Sequence, residues 1–249
     1  MDNEAQDYFR RGTAVFCTGR YAEAIGWFDR ALERDPGYKE VLVALAAAVD
    51  RLGLFQEAVL CCDQALETDD QFPDAFFIKG LSLFRLSQYT EAGMCFQALV
   101  RMDPSHAEAW FLKGNCHYQM GELTDAIRCY QETIRIHRKY PKAFYNMAVA
   151  LAETGRFEEA IEFYDQCLAM NPGVGTVMTN RAVALARLGR YEEAEKGFLE
   201  ALDLDPRDVT AWTNLGLCLN RLRREQEAFA CFEKVRELSG IDNVRDIVR

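Results

Sequence analysis

Apolar and small residues recur along this chain with two nested periods. The short one is helical: apolar positions fall at i, i+3, i+4 and i+7, the spacing of one helix face. The long one is 34 residues. It runs seven times without an insertion or deletion, with copies opening at Ala5, Lys39, Pro73, Ala107, Pro141, Gly175 and Val209. With the positions of one copy numbered as columns 1 to 34, column 8 is always Gly or Ala, from Gly12 and Ala46 to Gly216. Column 20 is Ala in all seven copies, from Ala24 to Ala228. Column 4 is large and mostly aromatic (Tyr8, Phe76, Trp110, Trp212), and column 24 is the same kind of position (Phe28, Phe96, Tyr130, Phe232). Large residues facing small ones are what two close-packed helices require. Each copy therefore predicts a helix over columns 1–14, a turn, and a second helix over columns 18–31.

Local signals agree with those boundaries. Column 15 is Gly in five copies (Gly19, Gly53, Gly121, Gly155, Gly189), where a helix ends and the chain reverses. Column 19 is acidic in all seven, from Glu23 to Glu227, which places a carboxylate in the first turn of the second helix, where the helix dipole favours it. Column 32 is Pro in four copies (Pro36, Pro104, Pro172, Pro206). Repeats two and four carry Asp70 and Arg138 there, and the next copy opens on Pro73 or Pro141, a position that a helix start tolerates.

A 34-residue period with this order of large, small, Ala and aromatic columns resembles the tetratricopeptide repeat. The resemblance covers repeats 5–38, 39–72, 73–106, 107–140, 141–174, 175–208 and 209–242. It implies an all-α fold: a right-handed superhelical α-α solenoid of seven helix-turn-helix repeats, forming one domain over 1–249. The tail Ile241–Arg249 carries Ile241, Val244, Ile247 and Val248 at near-helical spacing, so a short C-terminal capping helix is expected over the last repeat, with 243–249 as its tail.

Composition narrows the function. Hydrophobic residues make up 49% of the 249, enough for a packed core. The net charge is −10, from 29 basic and 39 acidic residues, and column 19 supplies part of the acid. That balance argues against nucleic acid, whose phosphates need a basic stripe. No apolar run approaches the ~20 residues of a membrane span, and with helical periodicity beginning at Ala5 no signal peptide is expected. The expected location is the cytoplasm. Of nine cysteines, Cys61, Cys95, Cys129 and Cys231 share column 23, Cys116 and Cys218 share column 10, and Cys62 and Cys167 take other apolar columns. They read as small core residues, and so many free thiols suit a reducing compartment. Only Cys17, in column 13, is expected to face outward.

Nothing in the chain asks for chemistry. His106, His117 and His137 are scattered without ligand spacing to a cysteine or to each other, and there is no phosphate loop or catalytic motif. No enzyme, no metal and no cofactor is expected.

In proteins of the family that this chain resembles, the first helix of each pair lines the concave face, through columns 2, 5, 6, 9, 12 and 13. Those columns form one side of that helix. The lining is apolar and aromatic in the first half: column 5 supplies Phe77, Phe111 and Tyr145, and column 12 supplies Phe84 and Tyr118. Columns 4 and 8 already make the core contacts, so this second stripe is surplus to packing and marks a partner site. The second half is polar. Column 6 carries Asn146, Asn180 and Asn214, one per repeat, with Asn115 and Asn220 in columns 9 and 12. A carboxamide both donates and accepts, so a ladder of them grips peptide backbone without reading side chains. Arg187 and Arg221, in column 13, add a carboxylate contact. The chaperone-tail-binding members clamp a carboxylate with two Asn, two Lys and one Arg. Here Asn115 and Asn146 match, but Phe111, Thr176 and Asn180 stand at the other three positions, so that mode is not expected.

The expected function is a non-catalytic scaffold that binds a partner peptide or helix in the concave groove, with no nucleic acid and no membrane. The competing readings are a self-assembling module that forms a homo-oligomer through the array ends, and a regulatory segment of a larger enzyme complex.

Overall fold

A computed structural model describes residues 3–240. Among them are fourteen α-helices and no strand: α1 (Asn3–Phe16), α2 (Tyr21–Arg34), α3 (Lys39–Arg51), α4 (Phe55–Thr68), α5 (Pro73–Arg85), α6 (Tyr89–Met102), α7 (Ala107–Gln119), α8 (Leu123–Ile136), α9 (Pro141–Glu153), α10 (Phe157–Met170), α11 (Gly175–Arg187), α12 (Tyr191–Leu204), α13 (Val209–Arg221) and α14 (Glu225–Ser239). None is long and apolar enough to cross a membrane. The capping helix expected at 241–249 lies outside the described residues. The chain divides into two compact units, Met1–Glu132 and Thr133–Arg249. Within each, successive helices pack as antiparallel pairs, the arrangement of an α-solenoid.

The helices start and stop close to where the periodicity puts them. From α3 onward the first helix of a repeat fills columns 1–13, and the second opens at column 17 rather than 18. The shift comes from the turn. Column 15 has positive φ in every copy: Gly19, Gly53, Gly121, Gly155 and Gly189, but also Ser87 at 61° and Arg223 at 63°. One left-handed residue reverses the chain, column 16 becomes the N-cap, and the next helix starts at once. Where column 16 is Arg it pairs with the carboxylate three residues on, as Arg156 does with Glu159 through two bonds of 2.6 and 2.7 Å. That bond holds the Glu159 carboxyl below the usual carboxylate range.

Each pair is held by the contact between columns 8 and 24. Phe28, Phe96, Tyr130 and Phe198 are completely buried, as is every column 20 alanine but the 1% exposed Ala228. A Cβ added at Gly12, Gly80, Gly114 or Gly216 would lie 2.5, 2.8, 2.6 or 2.7 Å from the ring of Phe28, Phe96, Tyr130 or Phe232. The backbone of one helix thus touches the ring of the other, and burying each ring stabilises the pair by about 1.5–3 kcal/mol. Columns 3 and 10 of the first helix bury against the preceding repeat. Val41, Ala75, Ala109, Ala48 and Cys116 are inaccessible, while Asp7 and Ala14 of the first copy, with no repeat before them, are not buried.

Ion pairs repeat at the seams. Lys79 pairs with Asp63, and Arg181 Nε lies 2.5 Å from Asp165 Oδ1, in both cases column 7 reaching column 25 of the preceding copy. Trp110 and Trp212 each donate Nε1–H to the carbonyl of the column 32 proline before them, Pro104 and Pro206, at 3.0 Å. All nine cysteines are free, and seven are buried; Cys61 is half-buried and Cys17 alone is exposed. Burial pushes the Cys116 thiol up to about 12, and those of Cys95, Cys129 and Cys218 to about 11.

Two predictions follow from the turn and the contact. Ser87→Gly and Arg223→Gly remove a side chain from a left-handed position, and each should stabilise by about 0.5–1 kcal/mol in chemical denaturation, where no gain would refute the reading of column 15. Gly114→Ala gains helix propensity but presses a methyl into the buried Tyr130 ring, so a net loss of about 1 kcal/mol is expected in the same measurement.

Candidate functional site

The expected site residues fall on α5 and α7 in the first unit and on α9, α11 and α13 in the second. In the first unit most of the aromatic stripe leans on second-helix or turn residues. Phe77 is half-buried and stacks on His106, with centroids 6.1 Å apart and planes at 29°. His106 is itself the N-cap of α7 and accepts from the Ala109 N–H at 3.2 Å. Phe84 meets Tyr89 edge-on at 5.2 Å. Phe111 is only 8% exposed and lies 6.0 Å from Tyr130, whose hydroxyl donates to Asn115 Oδ1 at 3.0 Å. The Phe111 ring is therefore spent on packing. Phe77, Phe84, Asn115 and Tyr118 keep partial exposure.

In the second unit the carboxamides are partly engaged. Asn180 Nδ2 donates to the Tyr145 hydroxyl at 3.0 Å, and Asn214 Nδ2 donates to the Thr210 carbonyl of its own helix at 2.9 Å. Asn180 thus bridges two first helices, α9 and α11, and burial raises the Tyr145 phenol above its ordinary value. The side-chain oxygens of Asn180 and Asn214 remain as acceptors for a ligand N–H. Asn146 is half-buried on α9; Asn220, Arg187 and Arg221 are exposed.

Two adjoining cavities open on this face. The first, 390 Å³, is walled by Val149, Ala152 and Glu153 of α9, Phe157 and Tyr164 of α10, and Asn180, Val183 and Arg187 of α11. The second, 460 Å³, runs on from Val183, Ala186 and Arg187 to Tyr191, Asn214, Leu217, Cys218 and Arg221. They share Val183 and Arg187; of the expected site residues, Asn180 and Arg187 line the first, Asn214, Arg187 and Arg221 line the second, and Asn146 and Asn220 line neither.

Sequence reasoning missed a polar cluster in the first unit. Asp50 is 7% exposed, accepts from the Ser82 hydroxyl at 2.8 Å, and pairs with Arg85. Arg85 also stands over the Phe55 ring, 5.5 Å from its centroid. The signal was the one charged residue in column 12, between copies that carry Phe16, Phe84 and Tyr118 there. A second cluster joins His117, Glu122 and Asp125 at the turn between α7 and α8, with ligand atoms within 4.8 Å of one another. His117 Nδ1 is already 2.6 Å from Glu122 Oε2, and Asp125 accepts from Arg128 at 3.1 Å, so these groups satisfy each other without an ion.

The comparisons agree with this architecture. The family described as the cilia and flagella-associated protein 70 C-terminal domain matches residues 109–238. The one described as anaphase-promoting complex, cyclosome, subunit 3 matches 17–99 and 51–133. With the first match spanning more than half of its length, this chain belongs to the tetratricopeptide-repeat family, in the group of that C-terminal domain. No curated protein matches in sequence. Among solved structures, the C-terminal part of a TPR repeat-containing protein from Cytophaga hutchinsonii superposes with a TM-score of 0.81 at 19% identity, over 97% of this chain and 99% of that one. YrrB, described as a TPR protein with an unusual peptide-binding site, superposes at 0.67 with 20% identity, over 74% of this chain and 95% of that one. MamA from Desulfovibrio magneticus does so at 0.66 with 21% identity, over 68% and 96%. At these identities the likeness is one of fold.

The Asp50 cluster generates its own test. Asp50→Ala leaves the buried Ser82 hydroxyl without its acceptor and should cost about 1–3 kcal/mol. The double variant with Ser82→Ala should recover part of that loss in urea unfolding, and additive losses would show that the two side chains are not coupled.

Proposed function

We propose that this protein is a non-catalytic scaffold that holds an extended segment of a partner protein on the lining face of its first helices. The observation that carries this reading is the pair of joined cavities in the second unit, bordered by the acceptor oxygens of Asn180 and Asn214. A peptide backbone presents N–H groups along its length, and each bond to such an acceptor nets roughly 0.5–1.5 kcal/mol. The half-buried rings of Phe77, Phe84 and Tyr118 offer apolar surface of the kind that anchors partner side chains. The peptide-binding site in the description of YrrB, a protein of the same fold, supports the reading. We place the scaffold in the cytoplasm as one seven-repeat domain, a location to which nine free thiols are suited.

A second reading rests on Phe229. It stands in column 21 of α14 and is 64% exposed, whereas Ile25 in the same column packs against the next repeat. That face suits a second copy, and sedimentation across a concentration series separates the readings: a strict monomer leaves the peptide scaffold alone.

The decisive variant changes Asn146, Asn180 and Asn214 together to Ala. Proteins captured from native lysate by the wild type should be lost while helicity by circular dichroism stays the same. An unchanged set of captured proteins would remove the ladder from the binding face.

A further inference from the structure

The repeats contain their own indication of what the second-unit cavities receive. In column 13 of the third copy, Arg85 is neutralised by Asp50, which stands in column 12 of the copy before it. The same relation in the sixth copy sets Arg187 against Ala152, and in the seventh it sets Arg221 against Ala186. Both alanines line the cavities, Ala152 the first and Ala186 the second. Ser82, which donates to Asp50, has Ala184 and Cys218 as its counterparts, and these too are lining residues. Where one interface carries an internal carboxylate, the other two carry a methyl group and open space. Arg187 and Arg221 make no ion pair within the described residues, and the 460 Å³ cavity has both of them in its wall and no acidic side chain. Glu153 lines only the first cavity, and Glu195, which acts on the lining residue Cys218, is paired with Arg224.

From this we infer that the second-unit face selects an acidic segment, with two ligand carboxylates taking the places at Arg187 and Arg221 that Asp50 takes at Arg85. The inference rests on the scaffold reading and adds to it the chemistry of the partner. An exposed guanidinium is a weak point charge in water, but in a recess walled by Val183, Leu217 and Tyr191 it gives a bidentate, charge-assisted contact. The chain as a whole is acidic, at −10, so long-range steering disfavours such a ligand and the attraction is confined to the recess. Spacing follows from the repeat. α11 and α13 are in contact, and packed helix axes lie about 8–10 Å apart. A polyproline-type segment brings residues i and i+3 onto one side about 9 Å apart. The expected ligand therefore carries Asp or Glu at i and i+3.

The probe is an end-capped Ala/Pro peptide with Glu at i and i+3, compared with its Gln counterpart, by calorimetric titration at low salt. The Glu peptide should bind at least about tenfold more tightly. Arg187→Ala and Arg221→Ala should each abolish that preference. Ala186→Asp should do the same by supplying the carboxylate from within, whereas Ala186→Asn should leave the preference in place, with helicity checked for every variant. Equal binding of the two peptides, with amide shifts at Asn180 and Asn214, would overturn the charge selection and leave the scaffold reading standing. Failure of both peptides to bind, or indifference to Ala186→Asp, would overturn the inference, and the scaffold reading would then stand or fall on the triple-asparagine capture.

Discussion

The approach of two helices across column 8 sets the geometry on which everything else rests. With no side chain at Gly12, Gly80, Gly114 and Gly216, a ring from column 24 lies directly against helix backbone. Ala148 and Ala182 take the same place opposite Tyr164 and Phe198, so the pair distance tolerates a methyl and little more. Column 20 supplies the other half of the contact, an alanine buried in each copy. Once these columns are fixed, the remaining faces of the first helix are released from packing within the pair. Columns 3 and 10 serve the neighbouring repeat, and columns 5, 6, 9, 12 and 13 are left to differ.

That division explains why one scaffold carries two kinds of lining. In the first unit the rings at columns 5 and 12 lean on Tyr130, Tyr89 and His106, and Arg85 is occupied by Asp50. In the second unit aromatic residues give way to carboxamides, alanines and exposed arginines, and the face opens into cavities. Hydrogen-bond acceptors and cationic donors lie side by side there. Asn180 and Asn214 offer acceptors, and Arg187 and Arg221 offer donors in a fixed fork.

Most of the fold was legible in the sequence because a period repeated seven times averages out local noise. Helix number, pairing and the buried columns came from that repetition, and boundaries moved by one residue, or by two in α1. Position-specific departures were harder to read. The left-handed turn is plain where column 15 is Gly, but Ser87 and Arg223 adopt it because the flanking helices impose it, against their own preference. Phe111 looks like its column neighbours, and only the placement of Tyr130 shows that it is buried. The partnership of Asp50 with Ser82 and Arg85 crosses between copies, where no spacing rule within one repeat points to it. The pairing of Asn180 with Tyr145 is of the same kind.

The contrast between Asp50 and its counterparts Ala152 and Ala186 has an evolutionary side. Aspartate and alanine codons differ by a single base, so one substitution separates a seam that neutralises its own arginine from one that does not. Column 12 takes no part in the contact between columns 8 and 24, so that contact is untouched by the change. A repeat array can thus change what one seam offers through a single residue, while the 34-residue period and the ring contacts stay as they are.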